Sequence, residues 1–216
     1  MKELKKPLII AIDGPSASGK GTLAKKIARQ FGLAFLNTGA IYRLVALRVI
    51  ERKIDQNDFE NFIQELVKNI SEDDLENEAL HTEIVGSTAS VIAKNPKLRA
   101  ALFDFQKNFV ARGKKEKNGC VLDGRDTTTV ICPDADFKFF VTADVEIRAR
   151  RRFFQLQTSY EEILSQLKKR DENDLNRIDS PLKIAPDAVV IDNGNLTIEE
   201  GFLKMLTVIN STNAKI

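Results

Sequence analysis

The chain has 216 residues, enough for one well-buried core with a small appended lobe. Hydrophobic residues make up 43% and charged residues 30% of it, as in ordinary globular proteins, and the formal net charge is +2. This balance excludes a global basic field for nucleic acid, and no apolar stretch forms a secretion signal or approaches the ~20 residues that span a bilayer, so we expect a cytoplasmic protein without nucleic-acid or membrane partners.

Strand and helix patterns alternate along the chain. Near-continuous apolar runs predict five buried parallel strands at residues 8–12, 34–37, 120–123, 137–141 and 188–191. Apolar residues at helical spacing predict helices at residues 20–31, 41–50, 96–112, 144–156, 160–170 and 198–209. The alternation predicts a three-layer α/β fold, in which helices cover a five-stranded parallel sheet.

Two regions interrupt the alternation. The acidic stretch 55–87 lacks a clear apolar face and predicts an appended lobe, an insert that we place at about residues 55–95. The arginine-rich stretch 148–177 predicts a pair of exposed helices that can move, a lid that ends at about residue 180. We therefore expect a single domain over residues 1–216 that consists of core, insert and lid.

The segment IDGPSASGKGT, residues 12–22, predicts a phosphate-binding loop (P-loop) between the first strand and the first helix. Gly14, Gly19 and Lys20 match the pattern of glycine, four residues, glycine and lysine. Backbone N–H groups of such a loop bind phosphate oxygens at the positive end of the helix dipole, and the lysine reaches the β- and γ-phosphates. We predict that ATP is bound by Gly14, Pro15, Ser16, Ala17, Ser18, Gly19, Lys20, Gly21 and Thr22.

Gly21 departs from the general pattern, in which a serine or threonine follows the lysine and lends its hydroxyl to magnesium. The hydroxyl comes one residue later, at Thr22. The sequence GKGT resembles the loop of nucleoside monophosphate kinases, in which glycine after lysine is usual and magnesium is held largely through water and nucleotide oxygens. The resemblance implies a kinase that uses ATP with Mg²⁺ and whose acceptor is itself a nucleotide.

Two polar stretches follow predicted strands. Thr38 and Arg43 lie in NTGAIYR after the second strand, and Arg125 and Asp126 lie in DGRDTTT after the third. Because ligands of an open α/β sheet bind beyond the carboxyl ends of its strands, these side chains are candidates for binding phosphate and a sugar hydroxyl. The alternative for Arg125 and Asp126 is an ion pair that stabilises the turn. Asp123 either acts on magnesium through water or caps the turn.

A third stretch, KRDENDLNR, contains two arginines on either side of a carboxylate. Arg170, Asp174 and Arg177 are spaced so that they would share one face of a continuing helix. The carboxylate would then be oriented and kept ionised, and the arginines would have donors left for phosphate. The alternative is a solvated helix with ordinary surface ion pairs.

Together with the segment SVIAKNPKLR, these stretches resemble bacterial cytidylate kinases over nearly the whole chain. The resemblance implies a P-loop kinase of pyrimidine metabolism, with an insert that binds the nucleoside monophosphate and a mobile lid, that phosphorylates CMP or dCMP with ATP; we expect a monomer. It implies catalytic roles for Lys20, Arg125, Arg170 and Arg177, and ATP contacts from Arg148, Arg151 and Arg152. The implied CMP-binding residues are Thr38, Arg43, Ser90, Arg99, Arg125, Asp126, Arg170, Asp174 and Arg177.

Asn37 and Thr128 are the departures from the family pattern that bear on turnover. Asn37 stands where aspartate is common and removes a negative charge, and Thr128 stands where glycine is common and would shift Arg125 or Asp126. Both suit an alternative in which the chain binds nucleotides but has lost turnover. Another alternative is a kinase for UMP, AMP or a metabolite such as shikimate. Nucleic-acid binding by the stretch 148–177 has little support, because acidic residues interrupt its basic run.

Overall fold

The computed structural model describes residues 6–55, 58–156 and 159–213, so the predicted insert and lid are each described except for two residues, 56–57 and 157–158. Within these residues one sheet has the spatial order β2-β3-β1-β4-β5. β1 pairs in parallel with β3 and β4, and β4 pairs in parallel with β5. The predicted five-stranded parallel sheet is confirmed. Its strands are β1 Leu8–Asp13, β2 Ala34–Asn37, β3 Gly119–Gly124, β4 Phe137–Thr142 and β5 Val189–Asp192.

Helices occupy most of the sequence between the strands. The described helices are α1 Lys20–Phe31, α2 Thr38–Arg52, α3 Phe59–Lys68, α4 Glu72–Leu75, α5 Glu83–Ile92, α6 Pro96–Glu116, α7 Val145–Leu156, α8 Tyr160–Asn176 and α9 Ile198–Asn213. A 3-10 helix at Glu78–His81 and a π-helical turn at Thr127–Ile131 complete the set. In this part of the chain no helix is both long and apolar enough to cross a membrane.

The chain divides into two compact units, one formed by Met1–Leu36 with Val110–Ile216 and the other by Asn37–Phe109. In the first unit, all residues of β1 and β3 are buried, as expected for central strands whose two faces are both covered. Large side chains of the sheet pack there against those of α1 and α9, among them Ile10, Ile12, Leu23, Ile27, Val121, Phe139, Val141, Met205 and Ile209.

The second unit spans the whole predicted insert, and the described part of the insert is helical. Phe62 and Ile63 of α3 are buried, and Leu80 and Val85 pack against side chains of α2. The expectation that the acidic stretch 55–87 lacks an apolar face is therefore wrong. In α3, Phe59, Phe62, Ile63 and Leu66 have helical spacing, and the glutamates between them obscure this apolar face in the sequence. The single-domain organisation stays a prediction.

The predicted pair of lid helices corresponds to α7 and α8 of the first unit. Ala149, Ile163 and Leu167 are buried together, and the rings of Phe153 and Tyr160 lie 6.4 Å apart, edge to face. The two helices are thus not exposed all round, because they bury a small apolar face between them. Movement of the pair stays a prediction.

Candidate active site

The P-loop follows the carboxyl end of β1 and lies close to its neighbours. Gly14 has φ 150°, and a Cβ atom there would come within 2.0 Å of the Val141 carbonyl oxygen. Gly19 has φ 88°, and its Cβ would lie 2.5 Å from the Asn193 side-chain nitrogen. Both positions therefore require glycine for backbone conformation and for space. At the two glycines of the predicted motif, the loop backbone packs directly against Val141 of β4 and the Asn193 side chain.

Lys20 begins α1 and is buried, with its Nζ atom directed back at the loop. The ammonium group donates a hydrogen bond to the Pro15 carbonyl oxygen at 3.0 Å and lies 3.9 Å from Asp123 Oδ1. Burial lowers the pKa of Lys20 to about 7, helped by the positive charge of Arg125 and opposed by Asp123. The positive charge of Arg170 lowers this pKa as well.

Asp123 explains why glycine follows the lysine. This residue is buried near the carboxyl end of β3, and a Cβ atom on Gly21 would lie 2.9 Å from its Oδ2 atom. The carboxylate thus takes the space that a serine or threonine side chain at position 21 would need. Burial raises the pKa of Asp123, while the Lys20 charge lowers it in part. The glycine of the GKGT sequence therefore fits the space that the Asp123 carboxylate leaves.

Carboxylates and guanidinium groups alternate beside the P-loop. Arg125 Nε donates to Asp174 Oδ2 at 2.7 Å, and Arg177 Nη2 lies 3.7 Å from Asp126 Oδ2. Burial raises the pKa of Asp174, but the charges of Arg125, Arg170 and Arg177 outweigh it and leave the pKa below its ordinary value. The structure thus brings together five of the predicted acceptor residues, and Asp174 is the ionised centre of that group.

One geometric expectation for this group is wrong. A continuing helix was expected to carry Arg177 together with Arg170 and Asp174, but α8 ends at Asn176 and Arg177 has an extended backbone. The chain turns here because the Leu182 N–H donates to the Asp174 carbonyl and Arg177 Nε donates to the Ser180 carbonyl. The turn, and not the helix face, directs Arg177 towards Asp126.

The lid arginines Arg148 and Arg151 donate hydrogen bonds to backbone carbonyl oxygens of the protein. Arg148 is buried, donates to the Ala143 and Ser16 carbonyl oxygens at 2.8 and 3.1 Å, and forms a bidentate pair with Asp171 at 3.2 and 2.5 Å. Arg151 Nη2 donates to the carbonyl oxygens of Asn193 and Gly194 at 2.6 and 3.0 Å. Their contacts with ATP, like those of half-buried Arg152 on α7, stay predictions.

Sequence reasoning missed two residues that support the site: Asn193, which lies outside the recognised motifs, and Asp13, which lies in the segment 12–22 but outside its glycine and lysine pattern. Asn193, just after β5, donates from its side chain to the Ser18 carbonyl oxygen at 2.8 Å. Asp13, the last residue of β1, accepts hydrogen bonds from Thr127 and Thr128. The TTT run after Asp126 was the available signal for the second contact, but the sequence gives no indication of where its hydroxyls would find an acceptor.

In the second unit, predicted acceptor residues lie on α2 and α5. Arg43 Nη1 donates to the Leu80 carbonyl oxygen at 2.6 Å, and its guanidinium group lies about 3.1 Å from where a Cβ on Gly86 would stand. Ser90 Oγ donates to the Gly86 carbonyl oxygen at 3.1 Å. Arg43 and Ser90 therefore come together at Gly86, where the lack of a side chain leaves room for the guanidinium group.

The remaining predicted residues of this unit lie at helix termini. Thr38 is the buried first residue of α2, and Asn37 before it caps the helix by accepting from the Ala40 N–H at 3.2 Å. The Arg99 guanidinium lies 6.0 Å from the centre of the Tyr42 ring. Asn37 thus retains the capping function that aspartate would have, although it lacks the negative charge.

The family model of cytidylate kinase matches residues 10–211 of the chain. The chain belongs to the cytidylate kinase family. A cytidylate kinase of Rhodopseudomonas palustris is 46% identical over 212 residues, which cover 96% of this chain and 98% of the relative. A cytidylate kinase of Azorhizobium caulinodans is 47% identical over 208 residues, which cover 94% and 98%. The predicted family is confirmed, and every predicted site residue lies within the matched segment.

Solved structures with little sequence similarity share the fold. An uncharacterized protein from Eubacterium ventriosum superposes with a TM-score of 0.56 at 15% identity, covering 95% of this chain and 99% of the other. A gluconokinase from Sinorhizobium meliloti superposes with a TM-score of 0.50 at 15% identity, covering 98% and 97%. At these identities the comparison shows the fold alone, and it agrees with the predicted P-loop kinase architecture.

Proposed function

We propose that the chain transfers the γ-phosphoryl group of ATP to the phosphate of CMP or dCMP, forming ADP and the nucleoside diphosphate. One observation carries the proposal: Lys20 Nζ of the P-loop lies 3.9 Å from Asp123 Oδ1 on β3, two residues before Arg125, so donor-side and acceptor-side cations lie near one another. Phosphoryl transfer needs this arrangement, because two anions must be brought together. Relatives that cover nearly the whole chain carry the name cytidylate kinase.

Catalysis in this site rests on positioning and charge. The P-loop N–H groups and Lys20 bind the donor phosphates, and Arg125, Arg170 and Arg177 neutralise charge on the transferred group and on the acceptor phosphate. The acceptor phosphate oxygen is already a nucleophile, so the protein supplies neither a covalent intermediate nor a strong base. Asp174 keeps the arginines oriented through its ion pairs.

Mg²⁺ with ATP fits the carboxylate at the end of β3. Asp123 Oδ2 faces Gly21, in the place where other P-loops have a hydroxyl, and Oδ1 lies near Lys20. Asp123 would hold the ion through its bound water, and Thr22 offers a hydroxyl one residue beyond Gly21. The ion would offset negative charge on the ATP phosphates. The predicted metal contact is thus with ATP and water, without a metal site built from protein side chains.

The assignment of residues that bind the cytosine base and the sugar rests on the sequence resemblance and on the local geometry within each unit. Thr38, Arg43, Ser90 and Arg99 remain predicted CMP-binding residues, and so do Asp126 and Asp174 of the first unit. Cytoplasmic location and a monomeric state also stay predictions.

Neither departure from the family pattern favours a protein without turnover. Asn37 caps α2, and Thr128 is not among the described residues with positive φ, so glycine is not needed there. The side chain of Thr128 instead donates to Asp13. Arg125 keeps its ion pair with Asp174 in the presence of this threonine. These contacts support an intact catalytic site.

A nucleotide panel with coupled ADP detection tests the activity. We expect ADP formation with CMP and dCMP and far less with UMP or AMP. A preference for UMP or AMP would replace the proposed acceptor, whereas ATP binding without ADP formation at any acceptor would leave a nucleotide-binding regulator.

The variant Arg177→Ala tests the acceptor side. It should bind ATP normally in a titration without acceptor but lose roughly 10³-fold in transfer to CMP, the scale of a well-placed arginine in phosphoryl transfer. The control is Arg29→Ala, which removes an exposed arginine near the end of α1 and should leave turnover unchanged. Unchanged turnover with CMP in Arg177→Ala would remove Arg177 from the mechanism.

A further inference from the structure

Asp13 is a fully buried carboxylate between the two halves of the site. It is the last residue of β1 and directly precedes Gly14 of the P-loop. In the parallel pairing of β1 with β3 it lies opposite Gly124, the residue before Arg125. A buried ionisable group without a catalytic role needs hydrogen bonds to offset the loss of its hydration.

Four hydrogen bonds from two consecutive threonines meet this need. The Oδ1 atom accepts from the backbone N–H and the hydroxyl of Thr127, at 2.9 and 2.8 Å. The Oδ2 atom accepts from the backbone N–H and the hydroxyl of Thr128, at 2.8 and 2.6 Å. Each carboxylate oxygen thus binds one whole threonine, and all three residues are buried.

The threonines begin the π-helical turn that follows the acceptor-side residues Arg125 and Asp126. The Asp126 carbonyl oxygen accepts from the N–H groups of Val130 and Ile131, at 2.9 and 3.1 Å, which closes the turn. The backbone between Gly124 and Thr127 is therefore anchored at both ends, by strand pairing and by Asp13. Only Arg125 and Asp126 lie between these anchors.

We propose that Asp13 is a positioning residue for phosphoryl transfer, which holds Arg125 and Asp126 at a fixed place relative to the P-loop through its hydrogen bonds with Thr127 and Thr128. The inference rests on the proposed function and extends it: the donor loop and the acceptor-side arginine share one buried support. In this chain Thr128, at a position where glycine is common in the family, supplies half of the hydrogen bonds that Asp13 accepts.

The charge of Asp13 also acts on Arg125. Burial lowers the pKa of Arg125, and the carboxylates of Asp174, Asp123 and Asp13 more than offset this, so that the pKa is raised. The Asp13 carboxylate therefore attracts the Arg125 guanidinium in addition to holding the backbone at Thr127.

Substitution of the threonines tests the proposal more cleanly than substitution of Asp13. In Asp13→Asn an amide nitrogen would face N–H and O–H donors, and the variant could fail to fold. The double variant Thr127→Val, Thr128→Val keeps the carboxylate and both backbone hydrogen bonds and removes only the two hydroxyls. Thr127→Ser with Thr128→Ser restores those hydroxyls. The matched control is Thr207→Val on α9, whose hydroxyl donates to the Leu203 carbonyl oxygen at 2.9 Å.

Two measurements decide the outcome. In the double valine variant we expect an unchanged ATP dissociation constant and a loss of roughly 10- to 100-fold in kcat/KM for CMP, since a misplacement of about 1 Å can cost about 10²-fold. The Arg125 Nε–H signal in nitrogen-15 NMR should exchange faster with solvent, because its bond to Asp174 is less well held. The double serine variant should recover both properties, and Thr207→Val should match the parent chain.

A purely structural role would give a different pattern. A double valine variant that unfolds at lower temperature but keeps kcat/KM for CMP and the Arg125 Nε–H exchange rate would overturn the proposal. If the parent chain does not phosphorylate CMP, the proposed function fails and the exchange measurement alone decides: faster exchange in the variant supports the role of Asp13, and unchanged exchange refutes it.

Discussion

Lys20 is a buried cation whose charge depends on what surrounds it. Its ammonium group has the Pro15 carbonyl and Asp123 as near neighbours, and two guanidinium charges work against it. Burial is the largest influence, and it brings the pKa from 10.5 to about 7. The residue that is expected to bind phosphate is therefore only partly charged near neutral pH before the phosphate arrives.

We expect ATP binding to be coupled to proton uptake by Lys20. The triphosphate favours the ammonium form, so its binding raises the pKa of Lys20 and the affinity for ATP weakens as pH rises above about 7, the pKa of the protein without nucleotide. Calorimetric titrations in buffers of different ionisation enthalpy measure the uptake directly. Lys20→Met should abolish it, and equal enthalpies in all buffers for the parent chain would contradict the lowered pKa.

The lowered pKa of Lys20 also affects folding stability, which should rise with pH where the affinity for ATP falls. Between pH 7 and 10.5 the unfolded chain holds more protons on Lys20 than the folded chain does. The contribution of this residue to the free energy of unfolding therefore increases with pH across that window. Denaturant titrations without nucleotide should show a flatter pH dependence in Lys20→Met than in the parent chain, and parallel curves would argue against a buried, easily deprotonated lysine.

Gly21→Ser tests whether Asp123 excludes a side chain from this position. The new Cβ would come 2.9 Å from Asp123 Oδ2, so the carboxylate must move and its relation to Lys20 changes. We expect kcat to fall by roughly 10²-fold or more, as a misplacement of about 1 Å can cause. The control is Gln30→Ser at an exposed position of the same helix. Equal activity of the two variants would show that Asp123 is not needed at its present place.

At this scale the sequence predicted residues that belong to contiguous motifs. The P-loop, Arg125 and Asp174 could be found because their neighbours form recognisable patterns. Asp13 and Asn193 could not, since their partners Thr127 and Ser18 lie more than a hundred residues away and the contact depends on the fold. The sequence suggested that Thr128 restricts the backbone where glycine is common. In the structure its hydroxyl donates a hydrogen bond to Asp13.

At the scale of elements, Arg148 on α7 connects three parts of the first unit. Arg148 joins the Ser16 carbonyl of the P-loop, the Ala143 carbonyl before α7 and the Asp171 carboxylate of α8. Side-chain exposures of 5% for Arg148 and 20% for Asp171 show that this ion pair is largely shielded from water. Shielding of this kind makes the loss of one partner costly.

A double-mutant cycle with Arg148→Met and Asp171→Asn should show strong coupling. Each single change leaves a shielded charge or carbonyl without its partner, so we expect Arg148→Met to lower the free energy of unfolding by about 3–5 kcal/mol. The loss in the double variant should differ strongly from the sum of the two single losses. The exposed pair of Lys26 and Glu199 is the control, and Glu199→Gln should cost less than about 1 kcal/mol. Additive changes at Arg148 and Asp171 would mean that the pair contributes nothing specific.

The sequence predicted helices and strands well where many apolar residues are buried, and poorly where an element buries only a few. All five strands and α1 were found with small errors at their ends, because buried central strands are almost wholly apolar. α3 was missed since glutamates stand between its apolar residues, and α5 was missed since two of its three buried residues are the small Gly86 and Ala89. The end of α8 was also missed, because the turn there depends on a hydrogen bond from Leu182.

At the scale of the whole molecule, ATP should stabilise the fold because it binds the native P-loop and not the unfolded chain. At about 100 times its dissociation constant a ligand adds about 2.7 kcal/mol to the free energy of unfolding. For a chain of this size each kcal/mol raises Tm by about 2–4 °C, so we expect roughly 5–11 °C. Thermal unfolding of the parent chain and of Lys20→Met measures it, and an equal rise in both would place the nucleotide elsewhere.

The hydrogen bond between Asn193 and the P-loop bears on when the site can form during synthesis. Asn193, which supports the Ser18 carbonyl, is translated 175 residues after Ser18, and the Asn193 carbonyl also accepts from Arg151. A ribosome-bound chain that ends before β5 would contain the whole glycine-rich segment and still lack this support. Nascent chains should therefore gain tight triphosphate binding only after β5 and Asn193 have left the exit tunnel.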